Sequence, residues 1–213
     1  HERADELAAR TDLAAVILTG AGPTFCAGMD LKAVLKEPGA PLRLLQSIAE
    51  LTIKLRDLPQ VVIARVNGAA IGGGCGLVGV AAIALPHPDA KLGYPEVDLG
   101  VCPAVVAPWL VAAVGAARAR RILLEGGTMT GHRALELGLV AEIVERERLD
   151  ERTQELARSI AKAGLNALRA TKHHLNDIEG ERLRELVRKG AHVSADVIAG
   201  AEAQERLARL YGT

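Results

Sequence analysis

Val66-Asn67-Gly68-Ala69-Ala70-Ile71-Gly72-Gly73-Gly74-Cys75-Gly76-Leu77 packs five glycines into twelve residues, at the end of an apolar run from Val61 to Val66. Three glycines in a row carry no side chains, so the backbone is free to take φ > 0 and other atoms can approach its N–H groups. If a helix opens there, its first N–H groups lack intrahelical acceptors and its dipole favours negative charge. The chemistry this predicts is binding of an anion or an oxyanion. A second loop of small residues, Thr24-Phe25-Cys26-Ala27-Gly28-Met29-Asp30-Leu31-Lys32, also opens toward a helix. Two backbone N–H groups converging from such loops form an oxyanion hole for an enolate or a tetrahedral intermediate. The acid nearest in character is Glu96, in Gly93-Tyr94-Pro95-Glu96-Val97-Asp98-Leu99-Gly100. Apolar neighbours and a proline would raise its pKa toward acid/base work if it is buried. On the local sequence alone, a solvated turn acid is the plainer reading.

Other chemistries find little support. The glycines at 74, 76 and 79 spell a formal G-x-G-x-x-G, but Asn67 to Gly73 separates them from the strand. A dinucleotide fingerprint opens directly off its strand and belongs to a paired βαβ fold, and no second half is evident. There is no G-x-x-x-x-G-K-[ST] and no G-x-S-x-G, and the three serines (Ser47, Ser159, Ser194) have ordinary surroundings. His173 and His174 are adjacent on a helical segment, so they point to different faces and make no metal site at i, i+4 spacing.

The elements that must hold the two loops alternate between strand and helix. His1 to Arg10 reads as a helix, Leu13 to Leu18 as a buried strand, and Leu45, Ile48, Leu51, Leu55 and Leu58 as the apolar stripe of a helix entered through Pro41 and closed by Pro59. Val61 to Val66 is the next strand, and Ala81 to Leu85 a shorter one. This alternation predicts an α/β domain with mostly buried parallel strands. Pro103 to Val114 and Ala117 to Leu124 read as helices. Thr130 caps a short helix ending at Gly138, and Leu139 to Val144 reads as a strand. After Arg148 the pattern is amphipathic helix broken near Gly164 and Gly180. Its apolar stripe needs a partner surface, and a subunit neighbour is preferred over the chain's own core.

The chain has 213 residues and is 49% hydrophobic, enough for one domain with a sizeable core and an appendage. Lys+Arg and Asp+Glu are equal at 26 each, and aromatic residues make up 2%, so neither nucleic acid nor a membrane surface is an expected partner. No apolar run approaches the roughly 18 residues a membrane span needs. Cys26, Cys75 and Cys102 are an odd number without CxxC spacing, which points to reduced thiols and a cytoplasmic location. The chain begins at His1, inside a helix, so a targeting peptide would not be visible.

Over essentially its whole length the sequence resembles the enoyl-CoA hydratase/isomerase (crotonase) family. The matching pieces are Phe25 to Lys32, Val66 to Gly74, and Leu92-Gly93-Tyr94-Pro95-Glu96-Val97-Asp98-Leu99-Gly100-Val101-Cys102-Pro103, followed by Ala134 to Val140 and Asn166 to Lys172. The resemblance implies a spiral of ββα units over residues 1–147 and a helical region over 148–213 that builds a homotrimer or a hexamer (a dimer of trimers). It implies an acyl-CoA substrate, with coenzyme A arriving as part of that substrate and no separate cofactor or metal. The oxyanion N–H groups would belong to Met29 and Gly73, Ala27 would lie where the adenine is held, and Glu96 would be a catalytic glutamate. Gly72, Gly76, Tyr94, Asp98 and Trp109 are further candidates for the substrate's surroundings. Lys32 reads equally as a group reaching a CoA phosphate and as a solvated helix lysine, whereas Asp30 reads first as the cap of the helix that Leu31 opens. The family normally has a strand and hairpin ahead of the first helix seen here, so an earlier segment is expected to be missing.

One position departs from the family. Its other hydratase glutamate falls two residues after the third glycine, where this chain has Gly76. Several hydratases of branched or glutaconyl-type acyl-CoAs look similar here, with this glycine and a Pro-Glu-Val followed by Pro-Ala-Val. The expectation is therefore hydration of a 2-enoyl-CoA with Glu96 as general acid/base. The alternatives are double-bond isomerisation by Glu96 alone and a catalytically weak CoA-binding trimer.

Overall fold

The computed structural model describes residues 1–34, 37 and 39–211. After helix α1 (Glu2–Ala8), strands β1 (Ala15–Thr19), β2 (Val61–Val66) and β4 (Ile83–Pro86) form a parallel sheet in the order β1-β2-β4, with Ala15 opposite Val61 and Ile63 opposite Ile83. β2 is central and almost continuously apolar because both of its faces are covered. Successive side chains point to opposite faces. Val62, Ala64 and Val66 enter the main core, while Val61 and Ile63 join a smaller cluster with Leu85, Val144 and Leu149.

The main core lies under α3 (Ala40–Asp57), whose Leu45, Ala49, Ile53 and Leu55 are buried and whose first turn contains Pro41. Each such aliphatic side chain taken fully out of water contributes about 1.5–3 kcal/mol. The smaller cluster is covered by α8 (Leu149–Ile160). Between the two loops of interest stand a four-residue helix α2 (Leu31–Val34) and α3.

A second, smaller sheet has the order β3 (Ala70–Ile71), β5 (Lys91–Gly93), β6 (Thr128–Thr130), with β3 parallel to β5 and β5 antiparallel to β6. A parallel bridge from Cys26 to Ala70 extends it by one more segment. Helix α4 (Gly73–Val80) follows β3 and packs on α5 (Ala107–Val114), which packs on α6 (Ala116–Glu125), while α7 (Gly131–Leu137) lies against β5 and β6. Thr130 caps α7 as expected, its hydroxyl accepting the Arg133 N–H, and Gly138 ends it with φ of 80°.

The run from Leu139 to Val144 is not a strand. It lies along β4 and bonds to it only through Ala141 N–H to Ala84 O and Val144 N–H to Pro86 O. Burial of Leu139, Val140 and Val144 accounts for its apolar character without a regular ladder. The helix expected from Pro103 begins at Ala107, because Pro103 to Val106 forms the turn ahead of it.

The tail consists of α8, α9 (Leu165–Glu179), α10 (Glu181–Ala199) and α11 (Ala201–Tyr211). Its apolar stripe divides between two surfaces. Val187, Ala191, Ala195 and Ile198 of α10 enter the chain's own core, whereas Leu186, Val193 and Val197 stay exposed, as do Leu175 and Ile178 of α9. Gly190 lets α10 approach closely, since a Cβ there would stand 2.2 Å from Ala104 O. One turn on, the Ser194 hydroxyl donates to Cys102 O at 2.6 Å and accepts from Ala104 N at 3.1 Å. No helix among the described residues is long and apolar enough to cross a membrane.

Candidate active site

Three backbone segments run parallel at the second sheet, Cys26, β3 and β5, and each continues into a loop at its C-terminal end. That end of parallel strands is where open α/β sheets present their binding crevices. Cys26 N–H donates to Ala69 O at 3.0 Å, Ile71 N–H to Cys26 O at 2.9 Å, and Gly72 N–H to Gly93 O at 2.8 Å. The ladder therefore sets the Ala27–Asp30 loop, the Gly72–Gly73 turn and the Glu96 turn side by side.

Glycine is required at two of the closest approaches. A Cβ on Gly74 would lie 2.1 Å from Cys26 O, so only a bare Cα lets α4 start against that loop. Gly28 has φ of +93°, and a Cβ there would stand 2.9 Å from Ile71 O and 4.0 Å from Gly73 N, which places the Met29 loop over the first turn of α4. By contrast, nothing lies within 4 Å of a Cβ built on Gly73. Among the described residues, neither the Met29 nor the Gly73 N–H donates to a protein acceptor. Both residues line the same cavity, and Gly73 stands in the first turn of α4, where N–H groups have no intrahelical acceptor.

Pro95–Leu99 forms a single 3₁₀ turn, fixed by Val101 N–H donating to Glu96 O at 2.8 Å. It turns the Glu96 carboxyl over Gly72, where a Cβ would meet Oε1 at 3.0 Å and Oε2 at 3.9 Å. Oε2 is buried and has no hydrogen-bond partner. Burial disfavours the charged form, only partly offset by the residue's own backbone N–H, and the pKa is pushed from 4.5 up to about 7. The acid is thus poised between its protonated and ionised forms near neutral pH.

These groups open into a cavity of about 140 Å³. Ala27, Gly28, Met29, Gly72, Gly73 and Glu96 form its polar end, and Leu31, Leu45, Ile48, Leu99, Val101, Val105, Val106 and Tyr211 are among its apolar walls. Of the residues expected from sequence, Glu96, Met29, Gly73, Ala27 and Gly72 are brought together. The others lie outside the cavity lining. Asp30 and Lys32 are exposed at the start of α2, while Leu31 between them turns inward. Tyr94 is fully buried against the Cys75 thiol, whose own pKa burial pushes up to about 12. Asp98 accepts the Gly127 N–H at 2.8 Å and so ties the Glu96 turn to the start of β6. Trp109 is 1% exposed and packs along Gly79.

Gly76 faces the inside of α5's leading turn rather than the cavity. A Cβ on it would stand 2.3 Å from Val106 Cγ1, so the Val106 side chain occupies the room a larger residue would need. A larger side chain at position 76 is excluded by this packing.

Sequence reasoning missed several wall residues and one organiser. Leu45 and Ile48 were visible as part of the α3 stripe, and Tyr211 follows the buried Ala203 and Leu207 at four-residue spacing along α11. The organiser is Asn67, whose Oδ1 accepts from Thr19 Oγ1 (3.1 Å) and Gly20 N (3.0 Å) and whose Nδ2 donates to Gly20 O (3.1 Å) and Gly22 O (2.8 Å). It fixes the turn that leads into the Met29 loop. An Asn between a strand end and a glycine was the available signal.

Comparison with known proteins agrees with this geometry. The chain is 34% identical over 174 residues to the 1,2-epoxyphenylacetyl-CoA isomerase of Escherichia coli, covering 79% of this chain and 66% of that protein. It is 34% identical over 177 residues to a hexahydroindene-carboxyl-CoA hydrolase of Mycobacterium tuberculosis, covering 82% and 71%. The crystal structure of an enoyl-CoA hydratase from Mycobacterium avium superposes with a TM-score of 0.86 at 28% identity, over all of this chain and 82% of that one. These relatives bear the names of an isomerase, a hydrolase and a hydratase, so kinship at this level leaves the reaction open. The family profile for enoyl-CoA hydratase/isomerase matches residues 5–210, and with the crotonase fold and two converging loops in place, the chain belongs to the enoyl-CoA hydratase/isomerase family.

Proposed function

We propose that the protein hydrates a 2-enoyl-CoA thioester, using Glu96 as the single general acid/base. The observation that carries this is the Glu96 carboxyl placed over Gly72, its buried Oε2 without a hydrogen-bond partner, one residue from the helix-terminal N–H of Gly73. In this reading the thioester oxygen accepts from Met29 and Gly73 N–H. Ionised Glu96 takes a proton from water as the water oxygen bonds to the β-carbon, and the electron pair of the double bond moves through the α-carbon onto the thioester oxygen. The enolate then collapses as Glu96 returns the proton to the α-carbon. Atoms balance with one water consumed, and the N–H pair stabilises the charge where it develops. The Pro-Glu-Val and Pro-Ala-Val pattern around the site supports a branched or glutaconyl-type acyl group as the range to search.

Loss of the conjugated-thioester absorbance across a panel of 2-enoyl-CoAs tests this. Turnover should rise with pH through about 7 as Glu96 ionises, and Glu96→Gln should lower kcat by about 10²–10⁴. No turnover by the wild type across the panel refutes the hydratase reading.

A second reading has its own support, because Glu96 is the sole carboxylate among the described lining residues. One base suffices to move a double bond, taking a proton and returning it two carbons along. Conversion of 3-enoyl to 2-enoyl thioesters without incorporation of solvent oxygen would establish it in place of hydration. Binding of acyl-CoA with no Glu96-dependent turnover would instead mark a CoA-binding scaffold.

The exposed apolar residues of α9 and α10 support a trimer or a dimer of trimers with 148–213 as its assembly region, which sedimentation velocity would test. Three free thiols fit a reducing, cytoplasmic setting.

A further inference from the structure

We infer that the cavity selects a short, uncharged acyl group and that Tyr211, on the last helix, is the residue that limits its length. This rests on the acyl-CoA reading above. Two observations carry it: the charge of the lining and the way α11 closes it.

Glu96 is the single charged side chain among the described lining residues; no Lys, Arg or His is present. A second carboxylate on the acyl chain would be desolvated beside an acid, with no cation to pair it, and both groups would resist ionising together. The chemistry of the wall therefore favours a hydrocarbon chain over a dicarboxylic one, and within the range proposed above it selects the branched members. The volume points the same way. About 140 Å³ is close to the ~150 Å³ of an apolar protein cavity that holds a benzene molecule.

α11 reaches this cavity through Tyr211, at the end of its buried face. Ala203 and Leu207 are each 1% exposed, and Tyr211 follows at the same spacing, packed on the main core and contributing the only aromatic ring of the described lining. The helix is seated on Gly100, four residues after Glu96. Gly100 has φ of +73°, and a Cβ there would lie 2.7 Å from Arg206 Cδ and 3.5 Å from the Ala203 Cα. This close contact sets the depth of α11 against the wall formed by Leu99 and Val101, and with it the position of the Tyr211 ring.

Calorimetric titration with saturated butyryl-, hexanoyl-, octanoyl- and decanoyl-CoA, and with pentanoyl- against glutaryl-CoA, tests the inference without requiring turnover. For the wild type, affinity should rise about fourfold per added methylene up to about six carbons. It should then level or fall, and glutaryl-CoA should bind at least tenfold more weakly than pentanoyl-CoA. In Tyr211→Ala the rise should continue to octanoyl- or decanoyl-CoA, while Tyr211→Phe should keep the wild-type limit. Decanoyl-CoA binding the wild type more tightly than hexanoyl-CoA overturns the inference, as does glutaryl-CoA binding as tightly as pentanoyl-CoA. Unchanged length dependence in a folded Tyr211→Ala protein refutes the role of Tyr211, and if that variant does not fold, the wild-type profile still decides the size and charge of the acyl group. Short-chain binding without any turnover of the matching enoyl-CoA would refute the proposed reaction and leave this inference standing. No binding of any acyl-CoA would remove both.

Discussion

Replacing Glu96 by Gln should make the protein more stable while removing its proposed chemistry. The carboxyl's pKa is about 7 in the folded chain and 4.5 when unfolded, so between these values the folded state holds a proton that the unfolded state has released. Stability of the wild type is unaffected by this group below pH 4.5, declines as pH rises from there, and carries the full penalty above pH 7. The shift corresponds to about 3 kcal/mol, and about 2 kcal/mol of it accrues between pH 5 and pH 8. The carboxyl is half-buried rather than sealed and keeps part of its hydration, so the realised rise should be about 1–2 kcal/mol. Gln removes the charge and keeps the shape. Urea unfolding of both proteins at pH 5, 6.5 and 8 should show the variant's advantage growing with pH at constant m-value. The reasoning fails if the variant is no more stable than the wild type at pH 8, or if the gap is the same at pH 5.

Other substitutions separate packing from chemistry. Gly73→Ala should fold within about 1 kcal/mol of the wild type, because nothing lies within 4 Å of the new methyl, yet lose at least about tenfold in kcat/KM as that methyl enters the space before the N–H pair. Gly74→Ala should fail to fold or lose the Met29 loop's position, since its Cβ would sit 2.1 Å from Cys26 O, and circular dichroism with thermal melting would show this. Asn67→Ala should cost about 1–3 kcal/mol in urea unfolding by removing four hydrogen bonds, three of them part-buried, and a loss under ~0.5 kcal/mol would contradict that role. Gly76→Glu alone should destabilise by at least about 1–3 kcal/mol through collision with Val106, and the double variant Gly76→Glu/Val106→Gly should recover much of it.

Long-period features were legible in the sequence because repetition averages out local noise. The α3 stripe, the buried β2 run and the Thr130–Gly138 caps all came through in this way. β3 and β5 did not, having two and three residues, too few for any period. Yet these are the strands that align the Met29, Gly73 and Glu96 segments, and only the family resemblance connected those segments beforehand. Tyr94 and Trp109 sit close to site motifs in sequence but face the core, Tyr94 just after β5 and Trp109 on the buried side of α5. Leu139 to Val144 failed as a strand because apolar character reports burial, and this segment is buried without pairing regularly. Tyr211 lies 115 residues from Glu96 along the chain, a closeness that no local pattern encodes.

The anchoring of the cavity wall by the tail has a consequence for synthesis. Ser194 holds the backbone at Cys102 and Ala104 from 92 and 90 residues away, and α11 seats on Gly100 from farther still. A ribosome must therefore release residues 181–211 before the wall beside Glu96 can settle, although the Met29 and Gly73 loops emerged more than a hundred residues earlier. At about 5–20 residues per second, the nascent chain spends several seconds or more with its glycine loops made and its acyl cavity open on one side. The wall beside Glu96 is completed late, when α10 and α11 dock.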